Sequence, residues 1–120
     1  CKEFGVKFGD DISSETEKEI SKKYGIPVFV THYPKSLKPF YMKTDGDLAL
    51  CFDLIFPEVG EVIGGSQREE DYDKLMSEIV KSGIEMDKMD WYLSTRKWGS
   101  VTHSGFGMGM DRLLMYICKS

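Results

Sequence analysis

A chain of 120 residues with 41% hydrophobic and 30% charged side chains has the balance of one globular domain, or of part of one. Its net charge of −4 excludes the basic footprint with which a stand-alone DNA- or RNA-binding module grips a phosphate backbone, though not a catalytic centre that receives only the end of a nucleic acid. No run of about 18 apolar residues occurs, which excludes a membrane-spanning helix.

The opening Cys1-Lys2-Glu3-Phe4-Gly5 holds neither a starting Met nor an apolar signal run. At the other end, Leu113-Leu114-Met115-Tyr116-Ile117-Cys118 is an apolar helical pattern that stops without a cap, so both ends read as the interior of a longer protein. Cys1, Cys51 and Cys118 are odd in number, scattered and without zinc spacing. Buried, reduced thiols in an intracellular, cytoplasmic setting are expected.

In chain order, Ser14-x-x-Glu17 has the form of a capping box, followed by a helix to Lys23 with Gly25 as its stop. Ile26 to Thr31 reads as a buried strand with proline near its start, and the alternation through Leu37, Lys38, Phe40 and Met42 predicts another from Leu37 to Lys43. Asp45-Gly46 signals a tight turn into Leu48 to Phe56, too continuously apolar for an exposed strand. Pro57 to Gly60 turns the chain, and Glu61-Val62-Ile63 begins the return strand ahead of Gly64-Gly65. The period then changes: Tyr72, Leu75, Met76, Ile79 and Val80 form one helical stripe ended by Gly83, and Met86 to Trp98 reads as a second helix. A glycine-rich stretch from Gly99 to Gly109 leads to a final helix from about Met110. Strands grouped ahead of helices predict an α+β fold with an antiparallel sheet flanked by helices.

Three constellations carry chemistry. Asp53 and Glu61 sit in strand-like sequence on either side of the Pro57–Gly60 turn, so they fall on one face if the strands pair about it. Asp53 lies inside an apolar run, where an ionised carboxylate needs a partner. Mg²⁺ is one such partner; local backbone or a lysine is another. Gly64-Gly65-Ser66-Gln67-Arg68 combines two glycines, which imply a bulge or a close approach of ligand to backbone, with a guanidinium fork suited to an acid or amide oxygen. An ordinary surface turn is the alternative, and Ser66 lacks the frame of a nucleophile elbow. Gly105-Phe106-Gly107-Met108-Gly109-Met110-Asp111-Arg112 has neither the third glycine of a dinucleotide fingerprint nor a P-loop lysine. What remains is close packing before a helix start that can host an anion, with Arg112 in its first turn. His32 and His103 have no partner at ligand spacing and read as bonded structural histidines. The methionines at 76, 86, 89, 108, 110 and 115 read as core, and Lys35, Lys38 and Lys43 as a solvated strand edge, with contact to phosphate as the lesser alternative.

Taken together the segments resemble class II aminoacyl-tRNA synthetases of the aspartate/asparagine/lysine subgroup. Gly105-x-Gly107-x-Gly109-x-x-Arg112 is similar to the third motif of that class. Asp53-Leu54-x-x-Pro57-x-Val59-Gly60-Glu61-x-Ile63-Gly64-Gly65-Ser66-Gln67-Arg68-Glu69 resembles the asparaginyl form of the preceding strand pair. Phe29-x-Thr31-x-Tyr33-Pro34-x-x-x-Lys38-x-Phe40-Tyr41-Met42 and Trp91-Tyr92-x-x-x-Arg96-x-x-Gly99 are similar to asparaginyl enzymes as well, and the match runs over nearly all of residues 26–118. Ser94, Thr102 and His32 depart from frequent residues of the family without touching its central positions.

The resemblance implies that residues 1–120 are the C-terminal portion of a catalytic domain that activates asparagine with ATP and passes it to tRNA(Asn). It implies Mg²⁺ held by Asp53 and Glu61, with Glu61 and Arg112 as the catalytic pair. Glu61, Gly109, Met110, Asp111 and Arg112 would bind ATP, while Gly64 and Arg68 would bind the amino acid. The first class motif, which builds a homodimer, the second, with its α-phosphate arginine, and the anticodon-binding domain are all missing from these residues. The chain alone is therefore expected to be inactive. An aspartyl enzyme or a tRNA-independent asparagine synthetase of the same fold remains open, because residues separating amide from carboxylate lie mainly elsewhere. A non-catalytic interaction module of synthetase origin is the alternative from another class.

Overall fold

The computed structural model describes residues 12–119; Cys1 and the opening segment discussed above lie outside the described residues. Helix α1 (Ser14–Tyr24) begins one residue earlier than the capping-box reading placed it. Ser13 is the N-cap, its hydroxyl accepting from the Thr16 N–H at 3.2 Å, and Gly25 at φ 67° closes the helix as expected. Strand β1 (Val28–Thr31) follows.

The strand predicted from Leu37 to Lys43 does not form. Pro39 has no N–H for a ladder, and the segment is a 3-10 turn (Lys35–Leu37) and a loop in which the Pro39 carbonyl accepts from Met42 N–H. Its contact with the sheet is limited to its end, where Met42 forms a bridge to Arg68 and the Lys43 N–H donates to the Gln67 carbonyl at 2.9 Å. A short hairpin, β2 (Thr44–Asp45) and β3 (Leu48–Ala49), turns at Gly46, whose φ of 62° explains the Asp-Gly signal. The run predicted as a single strand from Leu48 breaks at Leu50, and β4 is Cys51–Phe56.

β5 runs Gly60–Gln67, so Gly64 and Gly65 lie inside the strand and not after it. Helix α2 (Tyr72–Lys81) follows the periodic stripe, and α3 (Met86–Lys97) forms as expected, ending one residue before Trp98. The glycine-rich stretch contains a strand that the sequence reading lacked, β6 (Ser104–Met108), before α4 (Met110–Cys118). Lys119 in the left-handed region caps α4, its N–H meeting the Met115 carbonyl, where no cap was expected.

The main sheet has the order β1-β4-β5-β6 with every neighbour antiparallel, as the α+β expectation required. Helix α1 packs on it against β4 and β5, and Ser21, fully buried, donates to the Phe56 carbonyl at 3.3 Å. One core cluster joins Tyr33, Ala49 and Cys51; another joins Leu75 and Ile79 of α2 to Leu93 of α3. Val80 points outward, as do Met86, Met108, Met110 and Met115, so the all-core reading of the methionines holds only for the half-buried Met76 and Met89. Cys51 is buried, but Cys118 is exposed. Among the described residues no helix is long and apolar enough to cross a membrane.

Candidate functional site

Strands β4 and β5 are joined through Pro57-Glu58-Val59, with Gly60 already paired to Phe56. Ile55 faces Glu61, but the next pair is Leu54 with Ile63, which makes Val62 the additional residue of a β-bulge. That single residue decides the site. An unbroken ladder from Leu54–Ile63 would pair Ile55 with Val62 and Phe56 with Glu61, turning Glu61 to the face opposite Asp53. With the bulge, both carboxylates share a face.

Helix α1 adds a third. Oxygens of Glu17, Asp53 and Glu61 all lie within 4.8 Å of one another, an all-oxygen set of the kind that suits a hard divalent cation. Gly64 lies directly beneath: a Cβ there would come 2.8 Å from Glu61 Oε1 and 3.2 Å from Asp53 Oδ1. The glycine is the cradle both carboxylates occupy. Gly65 serves the other face, where a Cβ would meet Phe52, Phe106 and the Gly105 carbonyl, each at 2.8 Å.

Asp53 is 7% exposed, and its Oδ2 is 3.4 Å from Lys38 Nζ. The lysine partner foreseen as an alternative to metal is thus present, and the solvated-edge reading is overturned for Lys38. Lys38 turns inward over the Tyr33 ring at 3.9 Å, Lys35 pairs with Glu78 at 2.9 Å, and Lys43 with Glu70 at 2.8 Å. The Lys43 hydrogen bond holds the Glu70 carboxyl below its usual range. Burial first, then the neighbouring Glu61 and Asp53 charges, raise the Glu17 pKa above that of a free carboxyl. Burial, followed by the adjacent Asp53 carboxylate, also raises Tyr33, whose hydroxyl finds no partner of hydrogen-bond geometry among the described residues.

β6 extends the same face. Gly64 pairs with Gly107 and Ser66 with Gly105, giving a floor almost bare of side chains, open above Gly107 among the described residues. Arg68 lies over it, since a Cβ on Gly105 would fall 2.9 Å from Arg68 Nη2. The guanidinium is 4.8 Å from the Tyr41 ring centroid, and the Arg68 N–H donates to the His103 carbonyl at 2.9 Å.

At the end of β6, Gly109 N–H donates to the Val62 carbonyl at 2.8 Å and serves as the N-cap of α4. Arg112 Nη1 donates to the Glu61 carbonyl at 2.6 Å, so Glu61 joins the acidic group through its side chain and Arg112 through its backbone. Met110 and Asp111 are exposed at the helix start. Asp53, Glu61, Gly64, Arg68 and Arg112 are therefore brought together around the β4–β5–β6 face.

Glu17, Lys38, Tyr33 and Tyr41 were not singled out as site residues from sequence. Glu17 was visible only as a capping-box position, and nothing local marks Lys38 as turned inward. His32 bonds Thr31 and His103 bonds the Val101 carbonyl, in keeping with their structural reading.

The profile of class II tRNA synthetases (D, K and N) matches residues 7–120. An asparagine–tRNA ligase of Phocaeicola vulgatus is 51% identical over 118 residues, which are 96% of this chain and 25% of that protein. The crystal structure of asparaginyl-tRNA synthetase from Pyrococcus horikoshii complexed with asparaginyl-adenylate superposes with a TM-score of 0.91 at 45% identity, over 95% of this chain and 27% of that one. An aspartyl-tRNA synthetase from Entamoeba histolytica gives 0.84 at 25% identity, over 98% of this chain and 26% of its own. The chain thus spans about a quarter of the length of the relatives it matches. On the profile match over nearly its whole length, the chain belongs to the class II aminoacyl-tRNA synthetases of the aspartate, lysine and asparagine group.

Proposed function

We propose that this chain is the C-terminal portion of the catalytic domain of an asparagine–tRNA ligase. In the first step a carboxylate oxygen of asparagine attacks the α-phosphorus of ATP and the bond to pyrophosphate breaks, leaving asparaginyl-adenylate. In the second the 3′-oxygen of the terminal tRNA adenosine attacks the acyl carbon and AMP departs. The observation that carries the reading is the shared face: two carboxylates over Gly64, Arg112 bonded to the Glu61 carbonyl, and Arg68 over Gly105. Greater identity to the asparaginyl than to the aspartyl structure favours asparagine over aspartate.

Asp53 and Glu61 would hold Mg²⁺, and the three-carboxylate oxygen set and its glycine cradle fit that ion. When bound, it would supply positive charge to the triphosphate oxygens. Glu61 positions the nucleotide on one side. Arg112 stands at the start of α4, where it stacks on adenine or meets the γ-phosphate, and Gly109, Met110 and Asp111 shape the nucleotide cavity. Arg68 donates to the side-chain oxygen of the amino acid, with Gly64 lining that pocket. The enzyme would work as a cytoplasmic homodimer on tRNA(Asn), with the α-phosphate arginine and the anticodon-binding domain supplied by residues outside this chain.

The test is ATP–pyrophosphate exchange by the full-length enzyme, with asparagine and with aspartate. Glu61→Ala and Arg112→Ala are each expected to slow exchange at least a hundredfold, since removing one charge-stabilising group costs about 3 kcal/mol of barrier. Near-normal exchange in both variants would defeat the assignment of roles, and a preference for aspartate would defeat the choice of substrate.

A further inference from the structure

Arg96 of α3 is only 8% exposed, and among the described residues no carboxylate pairs with it. A guanidinium buried without a counter-charge is costly unless its donors are met. Here they are met by two segments, the residues that follow β5 and α3 itself. Nε donates to the Glu69 carbonyl at 3.0 Å, Nη1 to Thr95 Oγ1, and Nη2 to the Tyr92 hydroxyl at 3.0 Å. The plane also lies 4.5 Å from the Tyr92 ring centroid.

Nη2 is 3.5 Å from His103 Nε2 as well. Because a guanidinium only donates, that ring nitrogen must accept, so the His103 proton sits on Nδ1 and is given to the Val101 carbonyl at 2.8 Å. One side chain thereby fixes the α3 helix, the end of β5 and the segment entering β6.

Two of those contacts bracket Arg68. Glu69, whose carbonyl Arg96 holds, is the next residue in the chain. His103, whose ring Arg96 holds, accepts the Arg68 N–H through its own carbonyl at 2.9 Å. The Arg68 backbone is thus tied on both sides to groups anchored by Arg96, while its guanidinium rests between the Tyr41 ring and Gly105.

We infer that Arg96 is a positioning residue for amino-acid recognition, holding the backbone around Arg68 so that its guanidinium stands where the substrate side chain is read. The inference rests on the reading of Arg68 given above. Arg96 touches no substrate; it acts through the Glu69 carbonyl and His103.

The test uses the full-length enzyme and measures asparagine Kd by calorimetry alongside the ATP binding constant and the melting temperature. Arg96→Met is expected to weaken asparagine about tenfold, inside the hundredfold that a 1 Å misplacement can cost. ATP, whose contacts lie on other residues, should change by less than about twofold. Arg96→Lys keeps the charge but cannot span Glu69, Tyr92 and His103 with one fork, so it should weaken asparagine comparably and serves if the Met variant fails to fold.

In the Arg68→Lys background, Arg96→Lys should add less than about twofold, because the group it positions is already altered. Equal loss of asparagine and ATP affinity, or full additivity with Arg68→Lys, would mean a purely structural role and overturn the inference. Arg68→Lys weakening asparagine while Arg96→Lys does not would remove the inference alone. Arg68→Lys leaving asparagine affinity unchanged would remove the role of Arg68 itself, and this inference with it.

Discussion

Gly64→Ala isolates the carboxylate cradle with a single methyl group. The added carbon would sit 2.8 Å from Glu61 Oε1 and 3.2 Å from Asp53 Oδ1, where ordinary van der Waals contact begins near 3.4 Å. Asp53 has little room to yield, being 7% exposed with Oδ2 held by Lys38. Glu61 must therefore move, by roughly 0.6 Å or by changing rotamer, the latter at about 0.5–1.5 kcal/mol if the new angle is off-rotamer. The clash is with the far ends of side chains, so stability should fall by less than about 1 kcal/mol. Chemistry should suffer far more, since shifting a reacting geometry by about 1 Å can cost 10²-fold. ATP–pyrophosphate exchange in full-length Gly64→Ala is accordingly expected to drop 10- to 100-fold with the melting temperature almost unmoved, and the Mg²⁺ concentration for half-maximal rate to rise. Gly65→Ala is the matched control. Its methyl would strike the Gly105 carbonyl, the Phe106 Cβ and the Phe52 ring, each at 2.8 Å, and neither the carbonyl nor a Cβ can rotate away, so it should lose about 1–3 kcal/mol of stability. Exchange and Mg²⁺ dependence left intact in Gly64→Ala would refute the reasoning that the glycine exists to seat the carboxylates.

Glu17 supplies a pH prediction. Its pKa is raised in the folded protein, so the native state binds the proton more tightly than the unfolded chain, and stability is lost as pH climbs from about the free-carboxyl value through the raised one. In EDTA, Glu17→Gln should therefore be more stable than the parent at neutral pH, the gap closing below about pH 4; a gap that widens in acid would show the sign to be wrong. Leu75→Ala, emptying a fully buried position between α2 and α3, should cost about 2–5 kcal/mol in chemical denaturation while leaving the Mg²⁺ dependence of the residual activity unchanged; a shifted Mg²⁺ dependence would mean that the α2–α3 pair communicates with the acidic group. Removing divalent ions should abolish exchange and Mn²⁺ should restore it; exchange that persists in EDTA would dissociate the three carboxylates from a cation.

What the sequence disclosed and what it hid divide along one line: patterns set by neighbours in the chain were legible, and arrangements set by a partner strand were not. Strand β4 and the Asp45-Gly46 turn announce themselves through an apolar run and a glycine, and helix α2 through its apolar period and the Gly83 that follows it. β6 does not, because Ser104-Gly105-Phe106-Gly107-Met108 has little strand propensity of its own and is extended only by its ladder to β5. The segment from Leu37 to Lys43 errs the other way, alternating like a strand while Pro39 denies it a ladder. The acidic pair shows the same division. Its two members were evident from their placement about the Pro57 turn, yet what puts them on one face is a bulge at Val62 that no local residue type signals. The third carboxylate was hidden more completely. Glu17 satisfies a helix-start pattern by itself, and only the docking of α1 through Ser21 onto the Phe56 carbonyl carries it to Asp53 and Glu61. Lys38 follows the same logic, since a lysine in an alternating segment reads as solvated until Asp53 is found beneath it. The residues that a functional reading most needs are thus those whose neighbours are supplied by the fold, and motif spacing reaches them only where both halves of a contact fall within one motif.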